Sequence, residues 1–211
     1  GRRMRMLGRW TGLVAGATAA LAIAATPAAG QIWLATLTGA QEDPPVNTPG
    51  KGTAVLTLAG NILTVNVTFA DLLSPTRDAH IHCCLTIPPS TPNTAPVAIP
   101  FPLDPIGPPD TPDFPLGVLA GSWVGTFDLS VDGTFNANFR NNNGGTAAGA
   151  RARLLQSFGN GTAYVNIHTD QFRPGEIRGA ITAIPEPSTY ALLATGLAGI
   201  GGIAWRRRRA A

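Results

Sequence analysis

Apolar residues at every second position constrain the fold of this chain more than any other feature. In residues 62–69 the apolar positions are Leu63, Val65, Val67 and Phe69, with Thr64, Asn66 and Thr68 between them. Because successive side chains of a strand point to opposite faces, this alternation predicts a half-buried β-strand. Residues 32–38 and 52–58 have a similar composition, and Gly60-Asn61 is typical of a tight hairpin turn.

The later part of the chain contains further short β patterns and one helical pattern. Strands are predicted at residues 79–84, 119–129, 163–169 and 176–182, and Pro174-Gly175 joins the last two as a hairpin. One short helix is predicted at residues 147–157, between an Asn-Gly-rich turn and Gly159-Asn160-Gly161. About seven short strands and one helix predict an all-β fold, an antiparallel β-sandwich of the immunoglobulin-like or superoxide-dismutase-like kind.

Proline interrupts this pattern in the middle of the chain. Residues 86–115 hold eleven of the nineteen prolines and show no periodicity. Proline lacks a backbone N–H and fixes φ, so it is excluded from the interior of a sheet. The composition therefore predicts an irregular surface segment with few ladder hydrogen bonds.

A Pro-Glu-Pro tripeptide and a block of arginines enclose an apolar run near the end of the given sequence. The tripeptide is Pro185, Glu186 and Pro187, the run is residues 190–205, and the block is Arg206, Arg207, Arg208 and Arg209. As a helix the run would span about 24 Å, less than the ~30 Å hydrocarbon core of a bilayer. Since arginines stay on the cytoplasmic side, the pattern predicts a C-terminal membrane helix with the preceding domain outside the cytoplasm. An ordinary membrane anchor and a temporary sorting anchor both remain open.

The first thirty residues have the pattern of a secretory signal peptide. Arg2, Arg3, Arg5 and Arg9 precede an apolar stretch at residues 13–25, and small residues follow at 26–30. Residues 1–30 are thus predicted to form a signal helix, and residues 31–184 to form the mature domain. Between residues 31 and 185 there are seven basic and eleven acidic residues, a net charge of −4. The whole-chain charge of +3 comes from the two ends, so a nucleic-acid partner is not expected.

The three histidines lie in two of the predicted strands. His80 and His82 are two positions apart and share a face, while His168 lies in the 163–169 strand. If the strands are neighbours, three imidazoles converge into a set that suits Zn²⁺ or Cu²⁺. The alternative is a structural cluster bonded to backbone, Asn166, Glu176 or Arg178. We predict that the two strands lie side by side, with His82 and His168 within about 10 Å of each other, as a shared metal requires.

The two cysteines, Cys83 and Cys84, are neighbours in sequence. An even count in an exported protein favours a disulfide, which here joins adjacent residues. Free thiols, an intermolecular bond and soft metal ligands beside His82 remain alternatives. Glu176 and Arg178 share a strand face and are predicted to form a structural ion pair. No spacing suggests a catalytic triad, paired catalytic carboxylates or a phosphate loop, so no catalytic residue is assigned.

Several motifs together resemble a known family. They are Gln41 to Val46, Gly52-Thr53-Ala54, the two histidine motifs and Pro174 to Gly179. From about Leu34 to Ile181 the chain resembles the CHRD domain, which is named for the animal protein chordin and is widespread in exported bacterial proteins. The resemblance implies a β-sandwich and little about activity. Residues 185–211 resemble the PEP-CTERM sorting signal, which bacterial exosortases recognise and process.

These observations predict an exported, exosortase-sorted protein of the cell surface or extracellular biofilm matrix, with a non-enzymatic CHRD module and no cofactor. The alternative is a metal-binding protein or metalloenzyme that uses the three histidines with zinc or copper. Expected partners are the secretion machinery, exosortase, the inner membrane before processing, and extracellular polysaccharide. The mature form is expected to run from near Gln31 to the region of Pro185.

Overall fold

The computed structural model describes residues 30–86, 93–102 and 112–184, together with 195–197 and 200. Apart from Gly30 and those last four residues, the predicted signal helix and the sorting tail with its membrane helix lie outside these ranges. None of the helices within the ranges combines the length and apolar character needed to cross a membrane. The strands described are β1 Gln31–Thr38, β2 Lys51–Ala59, β3 Ile62–Ala70, β4 Thr76–Cys83, β5 Val97–Pro100, β6 Gly121–Asp128, β7 Ala163–Thr169, β8 Ile177–Ala180 and β9 Thr182–Ala183.

The strands form one antiparallel sheet that curls around a single core. Its order is β5-β4-β7-β8-β1-β2-β3-β6, and β9 also pairs with β1. Phe101 follows edge strand β5, yet its ring centroid lies 4.5 Å from that of Trp123 on the opposite edge strand, β6. The two ends of the strand order therefore pack against each other through side chains. This confirms the prediction of an all-β, antiparallel, sandwich-like fold.

The period of two in the sequence determines which side chains enter the core. In the β2–β3 hairpin, Leu56 is paired with Val65 and Ala54 with Val67, and all four side chains are buried. Val55 and Asn66, the pair between them, face outwards. Gly60 turns the hairpin with a φ of 61°, a conformation that costs glycine little.

Two α-helices pack beside the sheet in the described ranges, α1 Ala137–Asn142 and α2 Ala147–Asn160. The second matches the predicted helix, which begins where Thr146 caps the backbone N–H of Gly149. Its buried Phe158 contacts Trp33 edge-on, with ring centroids 5.1 Å apart. The first helix was not predicted, because its Asn-rich sequence is typical of a turn. The side chain of Asn136 caps it.

The proline-rich segment is the main departure from the sequence prediction. Within its described parts, Val97–Pro100 forms strand β5 and pairs with β4. Phe101 and Phe114 are buried in the core, so the prediction of an irregular surface segment is wrong here. The strand is possible because it lies at the sheet edge, where the missing N–H of Pro100 interrupts no second ladder. Residues 87–92 and 103–111 lie outside the described ranges.

Candidate metal centre

The three histidines meet on one face of the β4–β7 pair. In the register of these strands His80 lies opposite Asn166, His82 opposite Tyr164 and Asp78 opposite His168. The intervening side chains, such as Ile81 and Val165, point the other way into the core. The prediction that the two strands are neighbours is therefore confirmed.

The imidazoles lie near the spacing that one shared ion requires. His80 Nδ1 lies 3.1 Å from His168 Nε2, and one ring nitrogen from each of the three residues lies within 4.8 Å of the others. Zn–N bonds of about 2.0–2.1 Å place two ligand nitrogens at most about 4.2 Å apart. The widest separation must therefore close by about half an ångström or more when an ion is bound.

Backbone carbonyls set the orientation of two of the rings. His82 Nδ1 lies 2.7 Å from the carbonyl oxygen of Ala95, and His168 Nδ1 lies 2.8 Å from that of Arg173. A carbonyl only accepts hydrogen bonds, so each Nδ1 carries the proton and each Nε2 carries a lone pair. Metal-binding histidines are held in the same way. The Nε2 atom of His82 is buried and has no hydrogen-bond partner among the described residues.

Burial keeps the cluster uncharged at neutral pH. Loss of solvent lowers the pKa of His80 to about 4, with a further contribution from His168. Burial also lowers the pKa of His82 to about 3, against the hydrogen bond to Ala95. The pKa of His168 is lowered by burial as well, although the Asp78 carboxylate and the carbonyl of Arg173 oppose the shift. Neutral imidazole is the form that binds metal.

Asp78 is the site residue that sequence reasoning missed. Its Oδ1 lies 3.8 Å from His168 Nε2, and this oxygen is buried without a hydrogen-bond partner in the part of the chain that the structure describes. A signal was present in the sequence, because Asp78, His80 and His82 occupy alternate positions of one strand and so share a face.

Tyr164 and Arg178 continue the polar face beyond His82. The Tyr164 ring stacks on that of His82 with centroids 4.8 Å apart and an angle of 3° between the planes. The Arg178 guanidinium lies 4.8 Å from the Tyr164 centroid, within the range of a cation–π contact. The stack restricts rotation of the His82 ring.

The predicted ion pair between Glu176 and Arg178 is wrong. Arg178 instead lies 3.8 Å from the carboxylate of Glu42. Glu176 precedes β8 and is fully buried, where it accepts hydrogen bonds from Thr48, Leu73 and Thr169. Strand parity does not apply to it because it lies in the turn. Burial raises the pKa of Glu42, the partner of Arg178, to about 7, although the nearby charge of Arg178 lowers it.

The cysteines lie on the opposite side of β4 from the histidines. Cys83 and Cys84 are joined by a disulfide, and Ser157 Oγ on α2 lies 3.1 Å from Cys83 Sγ. The parity of the strand directs Cys83 into the core, whereas His82 points to the polar face. Sulfur ligands beside His82, one of the alternatives left open by the sequence, are therefore not part of this cluster.

Comparison with protein families agrees with this architecture. The model of the CHRD domain matches residues 33–181, so the chain belongs to the CHRD domain family. The PEP-CTERM protein-sorting motif matches residues 183–209. The protein is thus an exosortase substrate that is exported, held briefly in the membrane, and then delivered to the cell envelope or beyond. Searches of curated proteins and of solved structures gave no match.

Proposed function

We propose that the mature CHRD domain binds one transition-metal ion, zinc or copper, outside the cytoplasm. The observation that carries this proposal is the cluster of His80, His82 and His168, with ligand nitrogens within 4.8 Å of one another. Three separate elements, β4, β7 and the segment at Ala95, are needed to build it. A merely structural cluster would pair its buried nitrogens, whereas the Nε2 of His82 has no hydrogen-bond partner among the described residues.

The chemistry of the cluster supports the proposal. Neutral imidazoles need no deprotonation at pH 7, and the carbonyls of Ala95 and Arg173 present two Nε2 lone pairs towards the same space. His80 now directs its Nδ1 to His168, so its ring must place a lone pair on Nδ1 when an ion displaces that hydrogen bond. Imidazole nitrogen suits zinc and copper alike.

Calorimetric titration of the tag-free mature protein with Zn²⁺ and Cu²⁺ tests this function. We expect one ion per chain, and we expect His82→Gln to weaken binding by more than about 100-fold, because it removes a direct ligand. The sequence has only three histidines, so histidine-dependent binding cannot arise elsewhere in the chain. Gln171→His, which adds an exposed histidine on the β7–β8 connection, is the matched control and should leave the affinity unchanged. Absence of stoichiometric binding by the unaltered protein would refute the proposal.

We also propose that the released domain acts without catalysis in the cell envelope or extracellular matrix, with neutral polysaccharide as its partner. A row of uncharged hydroxyl residues supports this: Thr36, Thr53, Thr68 and Ser122 lie side by side on β1, β2, β3 and β6. An open groove of about 380 Å³ lies over part of this row. The row itself carries no charge, and Lys51 in the lining of the groove is paired with Asp71. These features favour a neutral partner that offers hydroxyl groups of its own.

Sedimentation with the host's purified extracellular polysaccharide tests this second role. Thr53→Lys together with Thr68→Lys should reduce the bound fraction several-fold, because two charges must then be desolvated in the contact. Gln171→Lys adds charge on the β7–β8 connection and should bind normally. Equal binding by all three proteins would exclude the row as the contact surface.

A further inference from the structure

We propose that Asp78 is a fourth protein ligand, which completes a closed site of three histidines and one aspartate and favours Zn²⁺ over Cu⁺. This inference rests on the proposed metal-binding function and specifies its ion. It assigns a role to the Asp78 carboxylate, whose buried Oδ1 has no hydrogen-bond partner among the described residues.

The strand geometry brings Asp78 to the site. It shares a face with His80 and His82, and it lies directly opposite His168 in the β4–β7 register. The register shifts between Thr76 and Asp78, and such irregularities locally re-aim side chains. The carboxylate therefore approaches His168 from the side of β4 that lies beyond His80.

The distance from Asp78 to His168 fits a shared ion better than a hydrogen bond. Asp78 Oδ1 lies 3.8 Å from His168 Nε2, which is too far for a hydrogen bond. Two ligands bound at about 2.0–2.2 Å to one tetrahedral ion lie roughly 3.3–3.6 Å apart. His80 Nδ1, at 3.1 Å from the same nitrogen, is already near that separation. A cation among these atoms would also satisfy the buried carboxylate oxygen, which is otherwise costly to desolvate.

The ligand set determines the ion and the kind of site. Three imidazole nitrogens and one carboxylate oxygen suit tetrahedral Zn²⁺, whereas Cu⁺ prefers softer ligands and Cu²⁺ prefers tetragonal geometry. Four protein ligands leave no open position for water or substrate, which is typical of structural zinc sites. The inference therefore also favours a non-catalytic role for the ion.

Cobalt and zinc binding by the processed, full mature protein test the role of Asp78. With Co²⁺ we expect the intense visible absorption of a four-coordinate ion, and X-ray absorption of the zinc form should show four nitrogen or oxygen neighbours. Asp78→Asn should weaken Zn²⁺ binding, measured by competition with a chromophoric chelator, by more than about 100-fold. It should change Cu⁺ binding little, because the carboxylate contributes little to a soft ion.

The control is Asp170→Asn, which alters an exposed aspartate 4.0 Å from Arg77 and should bind Zn²⁺ as the unaltered protein does. If the unaltered protein binds no metal, the proposed function itself is wrong. If it binds Zn²⁺ but Asp78→Asn binds equally well, with an unchanged cobalt spectrum, only the role of Asp78 is refuted. A weak, six-coordinate cobalt spectrum of the unaltered protein would refute that role even if the variant failed to fold.

Discussion

Glu176→Ala is expected to lower the free energy of unfolding by roughly 4 kcal/mol, because it removes a fully buried carboxylate and leaves one buried and two partly buried donors without an acceptor. The hydroxyl of Thr48 and the backbone N–H of Leu73 donate to Oε1 at 2.6 and 2.7 Å, and the hydroxyl of Thr169 donates to Oε2 at 2.9 Å. These donors belong to three separate segments. The carboxylate therefore links the segment before β2, the loop after β3 and the end of β7. Urea unfolding at pH 7 measures the effect.

Two further variants make this prediction specific. Glu176→Gln keeps an acceptor for Thr48 and Leu73 and should lose about half as much stability. Asp170→Ala removes an exposed carboxylate and should change stability by less than about 0.5 kcal/mol. A loss for Glu176→Ala that is as small as that of the exposed control would show that the three hydrogen bonds contribute no net stability.

Replacing Arg206, Arg207, Arg208 and Arg209 with glutamine is expected to abolish sorting and processing of most of the protein. The arginines determine the orientation of the apolar segment in the membrane, and without them the segment loses its cytoplasmic end. Mass spectrometry of the surface fraction should show the unaltered protein ending near Pro185, and should show little of the variant there. Removal of both predicted basic ends would leave a product with a net charge of −4.

A control variant removes arginines elsewhere in the chain, to separate the effect of their position beside the apolar segment from that of lost positive charge. Arg151→Gln together with Arg153→Gln removes two arginines from α2, whose side chains bond Gly60 and Gln156, and should be processed normally. A surface form of the unaltered protein that still contains Trp205 would contradict processing. The protein would then be stably anchored in the membrane.

Much of the fold was predictable because alternation is a local property. The β2–β3 hairpin and the β7–β8 hairpin follow from period-two patterns and turn residues alone. The convergence of His80, His82 and His168 followed from strand parity plus one assumption, that β4 and β7 are neighbours. That assumption concerns residues far apart in the chain, and no local pattern could establish it.

The features that were missed depend on tertiary contacts. Strand β5 was not predicted because prolines surround it in the sequence. Its extended conformation depends on pairing with β4 and on the burial of Phe101. Arg178 and Glu42 pair although they are far apart in the sequence, so no local pattern indicates the pairing. Asp78 was missed for a different reason. The sequence places it on the same strand face as His80 and His82, but an isolated aspartate is usually a solvated surface residue.

One of the motifs that carry the family resemblance, Pro174 to Gly179, has a structural explanation at its two glycines. Gly175 has a φ of 140°, and a Cβ there would lie 2.5 Å from polar atoms of Asn166 and Glu42. A Cβ on Gly179 would meet the carbonyl oxygen of Thr36 on the neighbouring strand. Between them, Ile177 enters the core and Arg178 reaches Glu42. The motif therefore meets a packing requirement around the polar face.

The distance along the chain between the two halves of the histidine cluster determines where the proposed site could acquire an ion. His80 and His168 are 88 positions apart. A polypeptide that is threaded unfolded through a membrane, starting from its N-terminus, brings His80 across well before His168 emerges. The ligands then first meet on the far side, beyond the reach of cytosolic metal chaperones and buffers. Because metal occupancy depends on availability as well as on ligand type, the proposed site would fill only from the supply in that outer compartment.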